Sequence, residues 1–132
     1  MNSNMFQLME KLYPLHRTIN CDDTDEALRI CSEYIGKDHC KIKSYNAGED
    51  VLTWKVPYRY KVNKAWLEIE GKRIADFKVN PLHIVSYSKS IKFKGKLKDI
   101  REHIWSREDR PNAIPWEFKY YERSWGFCVK HN

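Results

Sequence analysis

The residues of this sequence that are best suited to holding a metal are its five histidines and four cysteines. The nearest pairs are His39 with Cys40 and Cys128 with His131. Structural zinc sites combine two closely spaced pairs, and many zinc peptidases carry a His-Glu-x-x-His helix. Neither pattern occurs here. The sequence therefore predicts no metal ligand in this chain.

Nucleophilic catalysis would need a Cys or Ser beside a histidine base. Cys128 and His131 are three positions apart, which places them on opposite faces of a strand. This spacing argues against a dyad, and the sequence predicts no catalytic residue in this chain.

Ligand binding has better candidates in the segment that follows Pro115. Its aromatic residues are Trp116, Phe118, Tyr120, Tyr121 and Trp125. Aromatic rings stack on sugars and peptides but also fill cores, and both interpretations are open. Trp125 precedes Gly126 and an apolar run, which favours a structural role. Trp116, with Tyr120 and Tyr121, is predicted to contact ligand.

A second candidate lies in the apolar segment Leu82 to Ser88. On a strand, His83, Val85 and Tyr87 would share one face. His83 is then either a buried histidine that bonds to a backbone carbonyl or a ligand contact at a strand end. We include His83 and Tyr87 among the predicted ligand-binding residues.

Helical periodicity is confined to the start of the chain and one later segment. Apolar spacing predicts a first helix over Asn4 to Tyr13. Asp23, with Glu26 three residues later, predicts the start of a second helix that ends at Gly36. A third helix is predicted over Leu97 to Trp105.

Between these helices the pattern alternates with a period of two, which is typical of strands. The clearest hairpin joins residues 65–69 to 74–79 through a turn at Glu70-Gly71-Lys72-Arg73. Further strands are predicted over residues 51–56, 82–88 and 125–130. The lysines of residues 90–97 alternate with apolar residues, which favours a solvated sheet edge over an anion-binding strip.

Charge and hydropathy limit the partners. Residues 1–35 hold three basic and six acidic residues, whereas the remainder holds 21 basic and 12 acidic residues. No motif typical of nucleic-acid binding accompanies this basic character, so nucleic acid is not predicted as a partner. Residues 1–9 lack the features of a secretion signal, and no segment is apolar enough to span a membrane. We expect a cytoplasmic protein with reduced cysteines and no membrane contact.

Several segments together resemble one family. They are Leu12 to Pro14, Arg17 to Ile19, Asp50 to Pro57, Leu82 to Ser88, Arg110 to Tyr121 and Trp125 to Asn132. The chain resembles the N-terminal part of a bacterial aminopeptidase-like family found in polysaccharide-biosynthesis loci. The resemblance implies a zinc-peptidase fold with a small inserted domain for the full-length family. It also implies that the zinc ligands lie beyond the matched segment.

We therefore predict an α+β fold, with two N-terminal helices followed by a mainly antiparallel β domain that carries one further helix. Residues 1–36 would begin a peptidase-like domain, and residues 37–132 would form a β-rich inserted-type domain. No cofactor is expected in this chain, which would be inactive alone, although zinc is implied for the full-length family. Two alternatives remain: a standalone module that binds peptide or carbohydrate, and an interaction subunit of a separately encoded peptidase-like partner.

Overall fold

The structure, a computed structural model, describes residues 4–131. The chain divides into two compact units, residues 1–61 and 62–132. Both α-helices of the described residues lie in the first unit, and the second unit consists of short strands and turns. This is the predicted α+β class. The assignment of residues 1–36 and 37–132 to a peptidase-like and an inserted domain remains a prediction about the longer family proteins.

The first unit begins with the two predicted helices, α1 (Asn4–Leu12) and α2 (Asp22–Ile35). Gly36 ends α2 with a φ of 100°, a conformation that favours glycine. The predicted N-cap is wrong, because Cys21 precedes the helix at that position. Asp23 instead accepts a hydrogen bond from the backbone N–H of His16 at 2.7 Å, which fixes the loop that leads into α2.

After a 3-10 turn over Lys37–His39, the first unit continues to a small hairpin, β1 (Asp50–Val51) and β2 (Trp54–Lys55), in antiparallel pairing. The single strand predicted over residues 51–56 is wrong. Leu52 has a φ of 53°, so the chain reverses in the middle of that segment. After the hairpin, the Arg59 guanidinium bonds to the carboxylates of Asp22 and Asp25, each at 2.6 Å. These ion pairs connect residue 59 to the first turn of α2.

The second unit opens with the predicted hairpin, β3 (Trp66–Ile69) and β4 (Lys72–Asp76). Glu70 and Gly71 form its turn with φ values of 50° and 78°. A two-residue hairpin turn with both φ values positive matches the right-handed twist of its strands, and glycine adopts it without strain. Local chemistry was sufficient to predict this element.

The core of the second unit surrounds Val85 and Cys128, which are both fully buried. Residues on either side of Val85 pair with two different segments: Ile84 with Phe127 in antiparallel fashion, and Ser86 with Phe118 in parallel. The continuous strand predicted over residues 82–88 is wrong. A 3-10 turn occupies Pro81–His83, and Tyr87 adopts a left-handed φ of 68°.

The predicted third helix over Leu97 to Trp105 is also wrong. Two 3-10 turns, Leu97–Asp99 and Arg101–His103, lead into β5 (Ile104–Trp105). That strand pairs in parallel with β6 (Phe127–Cys128). Its backbone groups therefore hydrogen-bond to a distant segment and do not form the hydrogen bonds of a helix. Residues 90–96 form neither strand nor helix, and the predicted edge strand there is absent. Among residues 4–131, two of the three strand pairs are antiparallel, in agreement with the predicted fold class.

Candidate aromatic binding site

Five aromatic rings of the second unit form a continuous group that we call the aromatic ladder. Its members are Tyr87, Trp116, Phe118, Tyr120 and Tyr121. The ring centroids of Trp116 and Phe118 are 4.8 Å apart, and those of Phe118 and Tyr120 are 4.5 Å apart. Four of these rings were predicted to contact ligand, and the structure brings all four together.

The ladder is built on an extended segment whose side chains alternate in direction. The backbone N–H of Ser86 donates to the Glu117 carbonyl at 3.0 Å, and the N–H of Lys119 donates to the Ser86 carbonyl at 2.9 Å. This pairing holds residues 117–119 in extended form. Side chains two positions apart then lie on one side, which explains why residues 116, 118 and 120 stack.

Tyr87 closes the inner end of the ladder. Its ring meets that of Tyr120 edge to face, with centroids 5.1 Å apart. A φ of 68° is uncommon for a bulky residue and costs of order 1 kcal/mol. The flanking pairings of Ser86 hold this conformation in place. The left-handed backbone therefore directs the Tyr87 ring towards the ladder and away from the course of a regular strand.

Trp116 forms the outer end. Its side chain is 57% exposed, and Tyr121 is 66% exposed, whereas Trp125 is only 8% exposed. Phe118 lies between two neighbouring rings, whereas Trp116 stands at the end of the stack and presents an accessible aromatic surface there. The exposed Trp116 and the buried Trp125 agree with the roles predicted for them from sequence. Ligand contact by the ladder remains a prediction.

Trp125 belongs to the core beside the ladder segment. Its indole stacks on the imidazole of His103 with centroids 4.0 Å apart and planes 19° apart. Nδ1 of His103 lies 2.9 Å from the Trp125 carbonyl oxygen. Sequence analysis missed His103, because nothing local to residue 103 indicates a partner 22 positions away.

His83 lies apart from the ladder's stacked rings. It is buried, and its Nδ1 lies 2.8 Å from the carbonyl oxygen of Cys128. This contact is the structural role that sequence analysis weighed as one of two interpretations. A ligand contact at His83 remains a prediction without geometric support.

Neither cysteine nor serine chemistry is assembled around the C-terminal histidine. Burial, with a smaller effect from the nearby Glu117 carboxylate, raises the pKa of the Cys128 thiol to about 12. A thiol with such a pKa is protonated and unreactive at neutral pH. His131 instead hydrogen-bonds through Nδ1 to the Ser106 hydroxyl at 2.9 Å, and both residues are exposed. This serine and histidine are therefore a pair of exposed surface side chains.

The described residues also lack a set of zinc ligands. Within residues 4–131, no three His, Cys, Asp or Glu side chains converge in a way that could hold a metal ion. The residues present thus do not fit the zinc implied for the full-length family.

Among residues 4–131, no helix is both long enough and apolar enough to cross a membrane.

Comparison with known proteins identifies the family. The model of a domain of unknown function, DUF2172, matches residues 59–132, which are nearly the residues of the second compact unit. The chain belongs to this family. The aromatic ladder lies entirely within the matched segment.

One curated relative from Clostridium acetobutylicum is named "Putative polysaccharide biosynthesis protein with aminopeptidase-like domain". It is 27% identical over 129 residues, which are 97% of this chain and 29% of the relative. A crystal structure of a "putative peptidase" from the same organism is similar over 99% of this chain, with 26% identity and a TM-score of 0.87. The match covers 31% of that structure, so this chain spans about a third of the length of the proteins it resembles.

Proposed function

We propose that this chain is the recognition part of an aminopeptidase-like protein and that its aromatic ladder binds a carbohydrate ligand. The observation that carries the proposal is the exposed outer ring of Trp116, supported from behind by Phe118 and Tyr120. A sugar ring stacked on Trp116 would continue the ladder by one step. Stacking of this kind buries apolar surface without a deep pocket.

The ladder is suited to binding because its rings are already ordered. Each ring between the ends contacts a neighbour on either side, and the Ser86 pairings fix the backbone beneath them. A ligand therefore meets a surface whose side-chain entropy has largely been lost on folding. Such preorganisation lowers the cost of association.

The proposal assigns no hydrolytic step to this chain. A catalytic zinc needs about three protein ligands and an open position for water, and residues 4–131 provide no such group. Cleavage, if the complete protein performs it, would use residues beyond those described. The cytoplasmic location predicted from the sequence is part of this proposal.

A second candidate is an interaction subunit that docks on a peptidase-like partner. Helix α1 favours it, because Met5, Phe6 and Met9 are each more than half exposed. The similar proteins are about three times longer than this chain, so they contain further chain that could cover such a face. On this alternative, α1 would become protected when a peptidase-like protein is added, and mixed samples would elute as a complex.

Calorimetric titration with neutral oligosaccharides and with short peptides tests the first candidate. Trp116→Ala should abolish saccharide binding, while Trp66→Ala, which removes a second exposed tryptophan of the same unit, should leave it unchanged. If peptides bind through Trp116 and oligosaccharides do not bind, the ligand of the ladder is a peptide and not a carbohydrate. Absence of binding to either class, or equal loss in both variants, would refute a recognition role for the ladder.

A further inference from the structure

The second unit carries a cationic surface that the aromatic ladder does not use. We call residues 89–98 the lysine strip, after Lys89, Lys92, Lys94, Lys96 and Lys98. No acidic residue occurs between Asp76 and Asp99. All five lysines are exposed, and none pairs with a carboxylate anywhere in the part of the chain that the structure describes. The strip is thus a concentration of positive charge within the described residues, with the Asp99 carboxylate at its C-terminal end.

Protection of a sheet edge does not account for these lysines. Charged residues on an edge strand prevent pairing with other chains. Residues 90–96, however, lie in no strand, so there is no sheet edge for them to protect. The backbone is anchored near its ends, by Lys89 N–H to the Ser124 carbonyl at 2.8 Å and by Lys96 N–H to Asp99 at 3.1 Å. Between these anchors the strip is exposed to solvent, and its backbone bends at Gly95.

An aromatic platform lies in the middle of the strip. The Phe93 ring rests against the backbone of Gly95, because a Cβ at position 95 would stand only 2.4 Å from the Cζ of Phe93. Phe93 is nevertheless 48% exposed. One part of the ring is therefore backed by the chain, and the remainder is open to solvent. Lys92 and Lys94 flank this ring in sequence.

We propose that the lysine strip binds an acidic polysaccharide, a polymer whose sugars carry carboxylates. Lysine ammonium groups pair with the carboxylates, and the Phe93 ring receives the apolar face of a sugar. The strip begins two residues after Tyr87, whose ring contacts Tyr120, so one backbone segment carries both surfaces. The choice of a sugar polymer rests on the proposed function of the ladder, whereas the charge requirement rests on the strip alone.

The test uses oligogalacturonate and its methyl ester, which share a sugar backbone but differ in charge. The purified chain should bind the acid and not the ester, and added salt should weaken that binding. Replacing Lys92, Lys94 and Lys96 by Gln should lower affinity for the acid about tenfold, as expected for three exposed ion pairs. The control replaces Lys72, Lys78 and Lys130 by Gln, which removes equal charge from exposed positions elsewhere in the unit. It should retain near-native affinity.

A variant of the platform separates sugar recognition from bulk charge. Phe93→Ala keeps every lysine and should weaken oligogalacturonate binding several-fold. Equal binding of acid and ester, or equal losses in the two lysine triple variants, would overturn the proposal. So would tighter binding to single-stranded RNA or to anionic lipid vesicles at the same salt concentration, because the strip would then serve another class of polyanion.

The same titrations distinguish this proposal from that of the ladder. Binding of neutral sugars that depends on Trp116, without preference for the acid, would support the ladder and refute the strip. Binding of the acid that needs the strip and survives Trp116→Ala, together with no binding of neutral sugars or peptides, would support the strip and refute the ladder.

Discussion

The imidazole of His103 stacks on the indole of Trp125 at a centroid distance of 4.0 Å, and its Nδ1 meets the carbonyl oxygen of that same residue at 2.9 Å. One histidine thus contacts both the side chain and the backbone of its partner. Trp125 lies next to Gly126, on which Trp105 packs, and three residues before the fully buried Cys128. The contact between His103 and Trp125 therefore joins the segment before β5 to the segment before β6.

Trp125→Ala should therefore destabilise the protein by about 3–5 kcal/mol, the usual cost of truncating a buried aromatic residue. Trp116→Ala should cost well under 1 kcal/mol, because that side chain is mostly exposed and makes one ring contact. Chemical denaturation of both variants measures the difference. If Trp116→Ala unfolds the protein while Trp125→Ala does not, the structural and recognition roles have been exchanged.

Gly126→Ala should also be destabilising, by about 1–3 kcal/mol, since it overpacks a tight contact. The added Cβ would stand 2.1 Å from Cζ3 of Trp105 and 2.8 Å from the His103 carbonyl oxygen. Thermal denaturation would show a lower midpoint. Gly71→Asn is the control, because nothing lies within 4 Å of its Cβ position and asparagine tolerates a positive φ. A stable Gly126→Ala protein would mean that Trp105 moves aside without cost.

The cysteines should differ in reactivity in the native protein. Cys128 is fully buried and its pKa is raised to about 12, so iodoacetamide at neutral pH should leave it unmodified. Cys40 is only half-buried and should be alkylated much sooner. Peptide mass spectrometry reports each site, and denaturation in urea should make all four cysteines reactive. Early labelling of Cys128 would show that its surroundings open readily.

The sequence predicts those elements correctly whose structure is determined by local chemistry. The β3–β4 hairpin follows from alternation on both sides of Glu70-Gly71, a turn that the chain forms within four residues. Helix α2 follows from its acidic first turn and from Gly36. Trp116, which the sequence singles out as a candidate for ligand contact, is likewise exposed in the structure.

The sequence predicts the wrong element where pairing with a distant segment determines the backbone conformation. The apolar spacing of Leu97, Ile100 and Ile104 fits a helix, but β5 pairs with β6 more than 20 residues away. Competition for the same backbone groups is invisible in a local pattern. Tyr87 is the corresponding case in the site: its left-handed φ depends on the pairing of Ser86 with residues 117–119. The aromatic composition of the ladder was therefore predictable, but its geometry was not.

The first unit should be sensitive to acid. Burial lowers the pKa of His16 below its ordinary value of 6.5, and this outweighs the opposing effect of Asp23. Because the pKa of His16 is lower in the folded protein than in the unfolded chain, the folded protein binds a proton at this site less readily. The contribution of His16 to stability is therefore present above about pH 6.5 and is lost as the pH falls below that value. The wild type should lose stability between about pH 7.5 and about pH 5.5, a range in which histidines are the main titrating side chains.

His16→Gln should reduce that loss, because the variant has no group to protonate at this position. The backbone bond from residue 16 to Asp23 does not depend on the imidazole and should persist. His39→Gln is the matched control, since His39 is exposed in the same unit and should leave the pH dependence unchanged. Urea denaturation followed by far-ultraviolet circular dichroism is suitable, because both α-helices of the described residues lie in this unit. Identical pH dependence in the wild type and His16→Gln would show that the folded protein protonates His16 without cost.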